Sequence, residues 1–191
     1  MSNLPPNLLR KERGFTIIEF VITLSITALL TLLAYPLYRN YQQAIHESIV
    51  HFKLDQDLKL AKNLAAIEER YISLCGSNNG IECVSPQIQQ WRGWILFYDD
   101  EVSFIPQVST IIHVTSPKLL QKADIILETT LNIGGGINFG PRREYAYGMG
   151  RSIPNGRIKL CKIAPQKGYE HVAFIVNVYG YFRITQEKSA C

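Results

Sequence analysis

The sequence predicts an α+β chain in which one long N-terminal helix precedes a small antiparallel β-rich unit. Three observations predict it. Residues 15–33 are almost wholly apolar. From residue 37 to about residue 70, apolar side chains recur at three- and four-residue steps, the period of a helix face. Beyond residue 71 the pattern changes to short β-branched and aromatic runs separated by turn residues, as in antiparallel sheet.

At 191 residues the chain has room for one modest domain and one membrane helix. Its net charge of +4 is too small to argue for nucleic acid by itself. The four cysteines, Cys75, Cys83, Cys161 and Cys191, have no Cys-x-x-Cys spacing, which argues against a zinc ribbon or a thioredoxin-like site. Their even count suits two disulfides in an oxidising compartment; four buried thiols are the alternative.

The compartment is read from the N-terminus. The run FTIIEFVITLSITALLTLL, Phe15 to Leu33, is extended by Ala34 and Tyr35 to Pro36. That is long enough to cross a bilayer as a helix, which takes about 20 residues. Its only charge is Glu19, and a carboxylate at that depth is costly enough to imply a task and a partner. Arg10, Lys11 and Arg13, with Glu12 among them, precede the span, whereas Arg39 stands alone after it. The positive-inside rule therefore places the N-terminus in the cytoplasm and the remainder, cysteines included, outside. A cleaved secretory signal would need a shorter apolar core and a small-residue cleavage site; here the run continues into Tyr35-Pro36-Leu37-Tyr38. An ordinary signal anchor accounts for the length, but not for Glu19 or for Gly14 at the polar–apolar junction.

Lys11-Glu12-Arg13-Gly14-Phe15-Thr16-Ile17-Ile18-Glu19 resembles the prepilin processing site of type IV pilins and type II secretion pseudopilins. The resemblance implies cleavage of a leader, residues 1–14, by the membrane prepilin peptidase between Gly14 and Phe15, with N-methylation of the new N-terminal Phe15. It implies that Glu19, then the fifth mature residue, pairs with the N-terminal amine of a neighbouring subunit during assembly. Each charge is costly in lipid, and pairing lowers the cost of both. Pro36 falls at mature position 22, where family members commonly carry proline.

Residues 15–36 are thus read as a transmembrane and assembly helix, and residues 37–70 as its amphipathic continuation. In the second part Ile45, Ile49 and Phe52, then Leu54, Leu58 and Ala61, then Leu60, Leu64, Ile67 and Tyr71 are read as one broad apolar face. Gln43, Glu47, Asp57, Lys62 and Glu69 are placed on the other side. Pro36 is expected to kink the helix by removing a backbone bond. Phe15 to Arg70 as helix would extend about 84 Å.

The β-rich head is assigned to residues 71–191. Strands are expected at Tyr71–Leu74, Gly93–Tyr98, Thr110–Val114, Ile125–Thr130, Ile137–Phe139, Arg157–Lys162, His171–Val178 and Tyr181–Thr185. Turns are expected at Ser77-Asn78-Asn79-Gly80, Asp99-Asp100, Pro154-Asn155-Gly156 and Tyr179-Gly180. Within the pilin-like class the head resembles the GspH/FimT group of minor pilins and pseudopilins. Ile72-Ser73-Leu74-Cys75 with Cys83, the stretch Trp91-Arg92-Gly93-Trp94-Ile95-Leu96-Phe97-Tyr98-Asp99, Ile158-Lys159-Leu160-Cys161 and the hairpin Val172–Ile184 carry that likeness. The resemblance implies a pilin fold, a long helix packed on a small antiparallel sheet. The expected bridges are Cys75–Cys83, closing a short loop, and Cys161–Cys191, tying down the C-terminus.

No constellation for catalysis stands out, so no enzymatic activity, cofactor or metal is expected. His46, His51, His113 and His171 are scattered and read as structural or surface residues; His46 and His51 are five apart, the wrong spacing to share a metal from one helix face. Asn132-Ile133-Gly134-Gly135-Gly136 has no following Gly-Lys-Ser/Thr and is read as a flexible turn. Asp99-Asp100-Glu101 is read as a solvated turn rather than a calcium site. From Arg142 onward, nine basic residues stand against three acidic ones, a net +6. Some FimT-like members bind DNA for transformation through a C-terminal Gly-Arg-x-Arg turn. The matching segment is Gly180-Tyr181-Phe182-Arg183, which keeps the second arginine and replaces the first by Tyr181. A DNA contact would draw on Arg183, Tyr181, Arg142, Arg143 and Lys188.

The function expected from the sequence is structural: a minor type IV pilin anchored in the inner membrane with its head in the periplasm, assembled with other pilins. The alternatives are a minor pseudopilin of a type II secretion system and a DNA receptor of a competence pilus.

Overall fold

The computed structural model describes residues 14–141, 146–149, 152–163 and 169–188. It divides into two compact units, residues 1–41 and 42–191. Helix α1, Ile17–Glu68, contributes to both. It passes through Pro36 as helix, although proline has no N–H to offer the Leu32 carbonyl. It ends where Glu69 turns left-handed, at φ 54°.

In the first unit, the helix carries large apolar side chains on every side, and all are exposed, among them Phe20, Leu24, Leu29, Leu33 and Leu37.

The second unit holds two antiparallel five-stranded sheets. One has the order β4 (Ile111–Thr115), β3 (Trp94–Tyr98), β1 (Ile72–Gly76), β6 (Gly136–Phe139), β7 (Tyr147–Gly148). The other runs β10 (Phe182–Glu187), β9 (His171–Val176), β8 (Gly156–Lys162), β5 (Ile125–Thr129), β2 (Gln90–Trp91). A short helix, α2, spans Pro117–Ala123 between β4 and β5. The α+β class and the antiparallel pairing are as the sequence predicts. The short strands β2 and β7 and helix α2 are additions. For α2 the signal was present: Ser116 caps it by accepting the Lys118 N–H, and Pro117 stands at its first position.

One core joins α1 to both sheets. Val50, Leu54, Leu58, Ala61 and Ala65 follow four- and three-residue steps down one face of α1. They are buried with Ile72, Leu74, Trp94 and Leu96 of the first sheet and Leu127, Ile158, Leu160, Phe174 and Val176 of the second. The alternate residues of β1 and β3, Cys75, Ile95 and Phe97, face the opposite way and form a smaller cluster with Phe104 and Met149. The first sheet is therefore buried on both faces, which is why its central strands read as continuous apolar runs.

Four sequence expectations are corrected. The helix does not have one broad apolar face: Ile49, Phe52, Leu60 and Ile67 are exposed, on the side away from the buried stripe. Asp57, placed with the polar residues, is buried and bonded to Trp94 and His113. The glycine run is a packed turn rather than a flexible one. Its Gly134 sits at φ +56° and its carbonyl accepts the Trp91 indole N–H at 3.1 Å and the Thr129 hydroxyl at 2.8 Å. Asp99 is not solvated. It is buried and accepts bonds from Ser73 Oγ, Ser103 N and Phe104 N at 2.6, 2.9 and 2.9 Å, so it pins the following loop to β1. That loop holds Val102 and Phe104 at positive φ, a conformation the bonds to Asp99 stabilise.

Candidate functional site

The first turn of α1 combines a charge with an otherwise uncharged apolar run. Phe15 is 77% exposed and precedes Thr16, the cap of the helix. The Thr16 hydroxyl accepts the Glu19 N–H at 3.3 Å, and Glu19 Oε2 accepts the Thr16 N–H at 3.1 Å. The Thr16 hydroxyl also donates to that same oxygen at 2.9 Å. This is a reciprocal capping box, in which two orphan N–H groups of the helix end are satisfied by side chains. It also fixes the Glu19 carboxylate back over the start of the helix, on the Thr16 N–H, where the helix dipole favours negative charge.

The rest of the segment hides its polar atoms. Thr23, Ser25, Thr27 and Thr31 turn their hydroxyls onto carbonyls three or four residues earlier, at 2.7–2.9 Å. A hydroxyl so satisfied can be placed in lipid or against another helix without a dangling donor. The segment is long and apolar enough to cross a membrane, and none of its apolar window is buried within the chain.

Residues 9–35 match the family model described as the prokaryotic N-terminal methylation motif. The chain carries the type IV pilin signal. No curated protein and no solved structure matches it. The motif match and the long helix on antiparallel sheets are together consistent with a type IV pilin-like chain.

The remaining predicted site residues fall elsewhere. Cys75 and Cys83 form a disulfide with Cα atoms 5.5 Å apart, which ties the end of β1 to the loop before β2. Cys161 is disulfide-bonded, and Cys191 lies outside the described residues. Of the residues proposed to touch DNA, Arg142 and Arg143 lie outside the described residues. Tyr181 and Arg183 are exposed at the β9–β10 hairpin. Lys188, one residue past β10, is ion-paired with Glu170 at 3.3 Å. Tyr181 already has a cation on its ring, Lys62 Nζ at 4.8 Å from the centroid, and Lys62 donates to the Tyr179 carbonyl. Burial lowers the pKa of that ammonium. These side chains fasten the hairpin to α1, and the described residues offer DNA no assembled cluster.

Sequence reasoning passed over Thr16, although Thr-x-x-Glu before an apolar run is a legible capping signature. It also passed over Asp57, whose role depends on two partners 37 and 56 residues away.

Proposed function

We propose that the chain is made as a precursor, cut between Gly14 and Phe15, N-methylated on Phe15, and assembled as a minor pilin into a filament of the type IV class. The observation that carries the proposal is the carboxylate of Glu19, held by Thr16 at the head of an exposed apolar helix. Alone in lipid such a carboxylate is unfavourable. The α-amino group released on Phe15 by cleavage has the opposite charge and is equally out of place there. A neighbouring subunit that brings its amine to Glu19 relieves both, and the apolar helix supplies the lateral packing. Before cleavage no such amine exists, so processing licenses assembly. The Cys75–Cys83 bridge supports a head outside the cytoplasm, where disulfides persist.

Expression of the full chain with a prepilin peptidase tests this directly. Mass spectrometry of the N-terminus should find methylated Phe15, and Gly14→Ala should leave the precursor uncut. Glu19→Ala should still be cut but fail to enter sheared filaments. Recovery of Glu19→Ala in filaments at the wild-type level would refute the pairing.

A further inference from the structure

The second sheet ends in an edge that is long and regular. Among the described residues β10 pairs only with β9, through six consecutive partners from Phe182↔Val176 to Glu187↔His171 without a bulge. The other edges are protected: β2 and β7 have two residues each, and β4 meets β3 with a register shift at Leu96/Phe97. β10 contains no proline or glycine, and Arg183, Ile184 and Gln186 along it are exposed.

The bond pattern shows which backbone groups are unused by β9. Asn177 N–H donates to the Tyr181 carbonyl at 2.9 Å, so Tyr181 is a bonded position of the hairpin. Bonded and non-bonded pairs alternate along an antiparallel ladder. Arg183, Thr185 and Glu187 therefore bond back to β9, and Phe182, Ile184 and Gln186 turn their N–H and C=O groups outward.

We propose that this edge pairs with β10 of a second copy of the chain, antiparallel and centred on Thr185. In that register Ile184 faces Gln186 of the other copy, and both are outward residues, so the ladder bonds form. The same register sets Arg183 opposite Glu187 twice, once on each side of the two-fold axis, in the close non-bonded pairs where opposite charges attract most. Centring on Ile184 would put Arg183 opposite Thr185, and a one-residue slip would set outward groups against inward ones. Arg183 makes no ion pair among the described residues. Arg157 Nη1 donates to both Glu187 oxygens, at 3.0 and 2.9 Å, and each carboxylate oxygen keeps a lone pair for a second guanidinium. Charge complementarity thus selects both the partner and the register.

Cysteine crosslinking of the full chain in detergent micelles tests this. Thr185→Cys meets itself across the two-fold at a Cα separation of about 4.5 Å, within disulfide reach. Under mild oxidation it should form dimer at least tenfold faster than Gln107→Cys, an exposed loop position. Association through the apolar helices would raise both rates alike, so their ratio isolates the strand contact. Adding Arg183→Glu to Thr185→Cys should lower the dimer rate roughly tenfold, because both cross-pairs become repulsive; Arg183→Lys should largely keep it. Equal rates for Thr185→Cys and Gln107→Cys, or a Thr185→Cys rate indifferent to Arg183→Glu, would overturn the proposal.

Discussion

Asp57 is a buried polar group that joins the helix to the sheet in the head, and replacing it with alanine should carry a measurable cost. Its carboxylate is buried on α1 and accepts the indole N–H of the fully buried Trp94 at 2.6 Å. His113 Nδ1, on β4, lies 2.9 Å from the same oxygen. A hydrogen bond to a charged group contributes about 1.5–3 kcal/mol, and a buried donor left unsatisfied costs about 1–3 kcal/mol. For Asp57→Ala these describe one event from two sides and do not simply add. His113 is half-exposed, so water replaces its partner cheaply. The expected loss is therefore about 2–4 kcal/mol. Asp57→Asn keeps an acceptor for the indole and should lose about half as much. The assay is urea unfolding of the full chain in detergent followed by tryptophan fluorescence. Both tryptophans, Trp91 and Trp94, are buried in the head, so the signal reports that unit alone. If Asp57→Ala unfolded within about 0.5 kcal/mol of wild type, the bond to Trp94 would be incidental and the reasoning refuted.

Three further outcomes are expected. Replacing Cys75 and Cys83 together by serine should cost about 2.5 kcal/mol in the same assay, the loop-entropy value for so short a ring, with an unchanged result placing the constraint elsewhere. Gly135→Ala should cost about 1–3 kcal/mol, because a Cβ there would lie 2.7 Å from the Val84 carbonyl and 2.5 Å from Met149 Sδ; a neutral effect would mean the turn yields. At the foot of the helix, Arg70 lowers the Asp100 pKa, chiefly through its hydrogen bond at 2.6 Å, with the Tyr71 N–H helping. A depressed carboxylate stabilises above its unfolded pKa and loses that contribution as pH falls through the folded one, so the Asp100→Asn deficit seen at pH 6 should shrink below about pH 4, and a deficit that stays constant to pH 3 would contradict the linkage.

Much of this was legible because local chemistry fixes it. The apolar run, its lone glutamate and the Gly14–Phe15 junction are contiguous, and no tertiary contact is needed to read them. The main strands were legible because their β-branched runs are bounded by turn residues, as at Asp99 and Gly156. Legibility failed where meaning comes from distant partners. Asp57 and Asp99 look like surface acids in sequence, yet each becomes the acceptor at a buried junction because Trp94 in one case and Ser73 in the other arrive from elsewhere. The three glycines look like slack, but backbone carbonyls lie where their Cβ atoms would be: Pro86 O at Gly134, Val84 O and Ser85 O at Gly135, and Leu74 O at Gly136. β2 and β7 were missed because two residues carry no period.

The apolar residues of α1 beyond residue 45 fall on two faces rather than one. Helix positions three and four apart share a face, so Val50, Leu54, Leu58, Ala61 and Ala65 form one stripe, while Ile49, Phe52, Leu60 and Ile67 form another. The first is small-to-medium in side chain and fully buried, which lets α1 lie close against both sheets. The second is larger, with Phe52 61% and Ile67 76% exposed. A helix that served only to cover its own head would carry charge on that outer side. Polar residues do lie along it, Gln56 and Asn63, with the exposed Lys59 at its border, but they interrupt the apolar stripe without replacing it. A helix apolar on opposite sides is the pattern of one buried between two partners. The head supplies one of them within this chain. On the proposed function, helices of neighbouring subunits supply the other, so the outer stripe belongs to assembly and the inner one to folding. The distinction matters for interpreting mutants: changes at Leu54 or Leu58 act first on the stability of the head, whereas changes at Phe52 or Ile67 leave the folded head its core and act on what it can join.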